Sequence, residues 1–283
     1  MRWLVVGANG MLGQDLMETL VGAGEHARGI DRESVDITDP AGAGHAVSEC
    51  DVVVNCAAYT AVDAAEEQEG AAFAVNAVGA ANLARAARRE SARIVHISTD
   101  YVFDGMATAP YAELAPLSPR SAYGRTKAAG EWAVRAENSD HVIVRTAWLY
   151  GAHGPCFPRT IVRAARERGE LDVVADQLGQ PTWTVDLADL IVRLVGSRAP
   201  SGTYHGTSSG EASWHSFAQA AVASAGMDPA IVRSTTSEAF VRPAPRPAYS
   251  ILAHASLLAI GIEPIGPWET RWAEASGAVL GAS

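Results

Sequence analysis

Cysteine is scarce in this chain. Cys50, Cys56 and Cys156 are the only three in 283 residues. An odd number, widely spread and without a Cys-x-x-Cys pair, excludes a disulfide framework and a zinc or dithiol redox centre. The three are read as small buried apolar residues. A basic block is also missing. Lys and Arg number 22 against 32 Asp and Glu, a formal charge of −10, which argues against nucleic acid or an anionic membrane as partner. No uninterrupted apolar run reaches the roughly 20 residues that span a bilayer. The opening Met1-Arg2-Trp3-Leu4-Val5-Val6-Gly7 is broken by glycine too soon for a signal peptide, so a cytoplasmic protein is expected. No repeat of fixed period and no long linker divides the chain.

What remains is ordinary globular composition, 48% apolar and 19% charged, in a chain long enough to bury a core without staples. Short apolar runs at 2–6, 26–30, 51–55, 93–98 and 141–145 read as strands, most of them β-branched as in strands buried on both faces. Helical spacing covers 11–21, 71–90 and 121–136 between them. Alternating strands and helices predict an α/β fold with a Rossmann-like, doubly wound parallel sheet over 1–150. Beyond 150 the pattern loosens. Helices are expected at 157–168, 185–195, 213–225 and 268–279, with short strands at 171–174 and 203–205. The proline-dense Arg242-Pro243-Ala244-Pro245-Arg246-Pro247 is stiff and irregular. Residues 151–283 therefore form a smaller α/β region packed against the first, with chain crossovers between them. The cleft between the two is the default ligand site.

Gly7-Ala8-Asn9-Gly10-Met11-Leu12-Gly13 joins the first strand to the first helix. Gly7 permits the turn, Gly10 lets backbone approach a pyrophosphate, and Gly13 lets the helix pack close to the sheet; the helix N-terminus favours the negative charge. The loop reads as a dinucleotide site. Asp31 ends the second strand, where a carboxylate suits the ribose hydroxyls of NAD, whereas Arg32 suits the 2′-phosphate of NADP. Both cofactors stay open. Asn55-Cys56-Ala57-Ala58-Tyr59 follows the third strand, and its small residues allow a flat cofactor to lie on backbone.

Tyr123-Gly124-Arg125-Thr126-Lys127 places a phenol and an amine four residues apart, on one face of a helix. A nearby ammonium is expected to lower a tyrosine pKa from near ~10, which suits Tyr123 as general acid to a carbonyl oxygen as hydride reaches its carbon. Lys127 can also hold a nicotinamide ribose. Thr99, at the end of the preceding strand, can hydrogen-bond the same oxygen. Asp100 beside it can bind a sugar hydroxyl or merely end the strand.

Together these residues resemble the extended short-chain dehydrogenases/reductases and, within them, the dTDP-4-dehydrorhamnose reductase family. The sharpest stretch is Ser98-Thr99-Asp100-Tyr101-Val102-Phe103-Asp104-Gly105. Others are Asn55 to Asp63, Arg145-Thr146-Ala147-Trp148-Leu149-Tyr150-Gly151, Asp176 to Thr182 and Arg246-Pro247-Ala248-Tyr249-Ser250. The resemblance covers nearly the whole chain. It implies NADPH- or NADH-dependent reduction of the 4-keto group of dTDP-4-dehydro-L-rhamnose. It implies Gly10, Met11 and Leu12 on the pyrophosphate, Asp36 and Ile37 beside the adenine, and Ala57, Ala58 and Tyr59 along the cofactor. Thr99, Tyr123 and Lys127 become the catalytic triad. Asp100 and Trp148 contact the sugar, with Thr60 and Val62 nearby and Arg246 on the diphosphate. Some relatives carry Mg2+ at a dimer contact; its ligands cannot be placed in this sequence, and the chain is expected to be a monomer or homodimer.

Three other readings compete. A nucleotide-sugar 4,6-dehydratase or epimerase is a weaker match, because the acid pair of the dehydratases is missing where Tyr101 follows Thr99-Asp100. A reductase of a related dTDP-keto-sugar, such as dihydrostreptose synthase, shares every motif. A non-catalytic NADP-binding subunit, like the β subunit of methionine adenosyltransferase, is disfavoured by the intact Thr99, Tyr123 and Lys127.

Overall fold

Successive residues of β1 (Arg2–Val6) enter two different cores. Trp3 and Val5 belong to one, Leu4 and Val6 to the other, and all four are buried. This is the signature of a strand covered on both faces. It holds through a computed structural model that describes residues 1–281. After β1 come α1 (Met11–Gly22), β2 (His26–Ile30), α2 (Pro40–Val47), β3 (Val52–Asn55) and α3 (Val62–Ala65). Then follow α4 (Glu69–Phe73), α5 (Ala80–Arg89), β4 (Arg93–Thr99), α6 (Ala122–Glu137) and β5 (His141–Thr146).

The second half carries β6 (Leu149–Tyr150), α7 (Phe157–Arg168), β7 (Leu171–Val174), β8 (Leu178–Gly179), β9 (Thr182–Trp183) and α8 (Thr184–Gly196). It continues with β10 (Gly202–His205), β11 (Ser208–Ser209), β12 (Ala212–Ser213), α9 (Trp214–Ser224) and β13 (Val232–Thr235), and ends with α10 (Ala255–Ala259), β14 (Ile265–Pro267) and α11 (Trp268–Leu280).

Six strands form one parallel sheet in the order β10-β5-β4-β3-β1-β2. From β1 the chain goes to β2 on one side and then to β3 on the other. The crevice outside the carboxyl ends of β1 and β3 is therefore the switch point where ligands bind in such sheets. Residues of α1 and α8 fill one face of the sheet, those of α2 and α5 the other. β10 pairs with β5 and α8 packs on α1, so the chain returns to the first sheet after residue 150. Tyr150, Phe217, Trp268 and Trp272 anchor a separate aromatic core in the second half. Among the described residues no helix is long and apolar enough to cross a membrane.

Several short elements go beyond the sequence pattern, among them α3, α10 and β13, and two departures lie in the first half. The helix expected over 71–90 begins at Glu69, and a π-helical stretch, Ala74–Gly79, joins α4 to α5. A π-turn frees backbone groups and re-aims a side chain, here the buried Asn76. α2 was not expected, because Gly42 and Gly44 depress helix propensity. Its start signal was nonetheless present: Asp39 caps the N–H groups of Ala41 and Gly42, and Pro40 opens the helix.

Candidate active site

The glycine loop lies at the switch point. Gly7 has φ +81°, and a Cβ on it would meet Ala57 N at 2.8 Å; one on Gly13 would meet Gly7 O at 2.2 Å. Both glycines are demanded by the chain's own packing. Gly10 is looser, with Gly7 O 3.2 Å from a built Cβ. It stands as N-cap of α1 with no side chain bonded to the first turn and no acidic residue there. A helix start without its own anion suits a pyrophosphate at Met11 and Leu12 through backbone N–H groups. The Leu12 side chain itself is buried in the core.

Asp31, at the end of β2, accepts from Asn9 N at 3.0 Å and from Arg32 N at 2.7 Å, which ties it to the glycine loop. A groove lined by Ala8, Asn9, Gln14, Met17, Asp31 and Ser34 opens there, and the Arg32 side chain is exposed. Asp36 is exposed and held by Thr38, whereas Ile37 is buried against Gly79. Ala57, Ala58 and Tyr59 leave β3 half-buried. Cys50 and Cys156 are buried and Cys56 is half-buried; burial pushes the Cys56 thiol up to about 12. That suits inert core residues.

α6 carries Tyr123 and Lys127 on one face. Ser121 caps it through Gly124 N at 3.0 Å. A Cβ at Gly124 would sit 2.2 Å from Tyr101 O, so glycine there lets α6 close on the turn Asp100–Val102. Tyr123 meets Tyr101 edge-on, with centroids 5.6 Å apart. Burial, then the Asp100 carboxylate, push the Tyr123 phenol well above its ordinary value, and the Thr99 hydroxyl opposes them. This corrects the expectation that Lys127 lowers the phenol. The buried Lys127 Nζ instead donates to Ile97 O at 2.6 Å. Burial brings its ammonium down to about 8, with Glu131 and Cys56 holding it up.

Thr99 Oγ1 lies 2.8 Å from Asp100 Oδ1 and accepts from Tyr101 N at 3.2 Å. An ionised carboxylate only accepts, so the Thr99 proton points to Asp100. To serve a substrate oxygen the hydroxyl has to turn. Burial raises Asp100 to about 6 against the Thr99 and Ser250 hydroxyls. Among the described residues its Oδ2 has no partner in hydrogen-bonding geometry; the Ser250 hydroxyl is bonded to Leu178 O at 3.3 Å.

Trp148 takes φ +47° and stacks on Trp214 at 3.5 Å. Positive φ is strained for a bulky residue. Gly179 packs so closely on its indole that a Cβ would lie 2.2 Å away. Thr60 is exposed and Val62 opens α3. Arg246 reaches the same edge, bound to Asp63 at 2.8 Å.

The family described as RmlD substrate binding domain matches residues 1–279. The chain belongs to this family. The dTDP-4-keto-6-deoxy-D-glucose reductase of Streptomyces niveus is 49% identical over 97% of this chain and 96% of its own length. The dTDP-4-dehydrorhamnose reductase of Streptomyces griseus is 46% identical over 99% of this chain and 94% of its own. A solved dTDP-4-dehydrorhamnose reductase of Bacillus anthracis, in complex with NADP, has a TM-score of 0.93 at 38% identity. It covers 97% of this chain and 98% of that one.

Asn76 and Glu131, both beside this RmlD-family site, lie outside the motifs read from the sequence. Asn76 Oδ1 accepts from Tyr59 N at 2.8 Å, and its Nδ2 donates to Thr126 Oγ1 at 3.0 Å, so it joins the loop after β3 to α6. An asparagine inside an alanine-rich helix was the available clue. Glu131, fully buried one turn beyond Lys127, accepts from Ser98 Oγ and from Arg145 Nε and Nη2. The described residues of the single chain place no magnesium site. Among the described residues the single cluster of potential metal ligands is Asp15, Glu18 and His153. Its imidazole lies 3.4 Å from Asp15 and 3.5 Å from Glu18, and a nitrogen donor does not suit a cation that takes oxygen ligands. No step is routed through a metal.

Proposed function

We propose that this protein reduces the C4 keto group of dTDP-4-dehydro-L-rhamnose to dTDP-L-rhamnose with NADPH or NADH. The observation that carries the reading is the juxtaposition of Thr99, Tyr123 and Lys127 beside the glycine loop, at the carboxyl edge of the sheet. A bound reduced nicotinamide supplies the hydride that arrives at C4. Tyr123 gives its phenolic proton to the C4 oxygen, so the carbonyl becomes an alcohol. Thr99 turns from Asp100 to hydrogen-bond that oxygen. Lys127 would hold the nicotinamide ribose through its ammonium, and Asp100 and Trp148 would hold the sugar. The keto-sugar named for the Streptomyces niveus relative is the second reading, because the two relatives at similar identity are named for different substrates.

The test is oxidation of NADPH and of NADH on mixing the full chain with each of the two keto-sugar nucleotides. Rapid oxidation giving dTDP-L-rhamnose supports the first reading, and the two rates rank the cofactors. Turnover of only the other sugar moves the assignment to it. Binding of cofactor with no turnover of either would favour a regulatory subunit.

The pH profile follows from Lys127. The ammonium is the working form and is titrated near 8 in the substrate-free protein, while the phenol stays protonated far beyond that. kcat/KM, which reports the free enzyme, is expected to fall as pH rises through about 8. A profile flat to pH ~10 would remove the requirement for a charged Lys127.

A further inference from the structure

Asp63 is the second residue of α3, directly after Thr60, Ala61 and Val62. It belongs to none of the groups expected to bind or react, yet it joins distant parts of the chain at the rim of the site. Its Oδ2 accepts from Arg246 Nη2 at 2.8 Å and its Oδ1 from Ala244 N at 3.3 Å. Both partners lie in the proline-dense segment, more than 180 residues along. The side chains are part-buried, 23% exposed for Arg246 and 33% for Asp63. Both charges act on the phenol of Tyr101, whose ring meets Tyr123. The pair thus stands one aromatic ring from the proton donor.

A guanidinium has five N–H donors in a rigid fork. Arg246 commits one to Asp63 and another to Ala244 O at 3.0 Å. Among the described residues the other three have no acceptor, and they lie in a plane whose direction Asp63 sets. We propose that Asp63 is a positioning residue for the substrate diphosphate: it holds Arg246 and the backbone at Ala244 in the orientation in which the free N–H groups meet phosphate oxygens. The inference rests on the reading of Arg246 as the diphosphate contact. A carboxylate beside an anion site adds no attraction of its own. Its contribution is orientation, since an arginine already held in place loses less freedom when it binds.

The experiment measures dTDP affinity by titration calorimetry on the full chain, with KM and kcat for the keto-sugar nucleotide. Asp63→Ala is expected to weaken dTDP and raise KM about tenfold, with kcat changed less than about twofold. Asp63→Asn keeps an oxygen acceptor for the fork and is expected to recover most of that affinity. NADPH affinity and the thermal midpoint should stay at the wild-type level in both. In an Arg246→Ala background, Asp63→Ala should add nothing. Wild-type dTDP affinity in Asp63→Ala, together with a loss in Arg246→Ala, would overturn the role of Asp63 and leave the diphosphate reading intact. Wild-type affinity in Arg246→Ala would overturn both. A parallel loss of dTDP affinity, NADPH affinity and thermal midpoint in Asp63→Ala and Asp63→Asn would make the pair a structural clasp and overturn the proposal.

Discussion

Tyr123→Phe is expected to lower kcat by about 10²–10⁴-fold, the usual contribution of a positioned proton donor. The substitution removes one oxygen and keeps the ring that meets Tyr101 edge-on, so α6 and its cap at Ser121 are undisturbed. Cofactor affinity, read by NADPH fluorescence, should remain within about twofold, because the groups proposed for the pyrophosphate are backbone N–H groups at the start of α1. Single-turnover measurement separates the chemical step from product release. A variant that keeps a tenth or more of wild-type kcat would show that the proton comes from elsewhere. The high phenol pKa produced by burial and Asp100 makes Tyr123 a weak acid before substrate binds. On the proposed mechanism that proton passes to the developing alkoxide.

The second large effect is on stability. Glu131→Ala is expected to cost about 3–5 kcal/mol, because it leaves a buried guanidinium without its counter-charge. Arg145 and Glu131 are almost fully buried, in contact at 2.8 Å through two parallel bonds. Ser98 and Arg135 complete the shell of the carboxylate. The thermal midpoint should fall by on the order of 10 °C. Replacing both partners, as Glu131→Leu with Arg145→Met, should cost far less, since no charge is stranded. Equal losses in the single and double variants would mean that packing, not the charge, sets the penalty. Glu131→Gln connects the network to catalysis. Glu131 is one of the two groups that hold the Lys127 ammonium up against burial, so its neutralisation should move the basic limb of kcat/KM to lower pH. An unmoved limb would confine Glu131 to a structural role.

The carboxyl edge of the sheet was largely legible in the residue order. Val52-Val53-Val54 and Ile94-Val95 announce strands buried on both faces, the glycines at 7, 10 and 13 mark the turn into α1, and the Tyr123–Lys127 spacing follows from one helical turn. The break in the helix at Ala74–Gly79 was not legible, because alanine propensity is the same for an α- and a π-turn and the bonds of the buried Asn76 are made to distant Tyr59 and Thr126. The magnesium expectation had no support in the donor groups, and the lowered tyrosine did not follow from spacing, since adjacency on a helix says nothing about where a flexible amine donates.

The sequence by itself pointed to the six strands of the main sheet, the glycine turn into α1 and the placement of Tyr123 and Lys127 on one helical face, because strand period, helix period and turn chemistry are local properties of a chain. Only the tertiary structure decided that Lys127 faces Ile97, that Thr99 points its proton at Asp100, and that Arg246 is held by a carboxylate 183 residues away. It likewise decided that β10 returns to extend the first sheet. Such contacts are selected by burial and by the satisfaction of charges across the whole fold, and neither leaves a mark in the spacing of neighbouring residues.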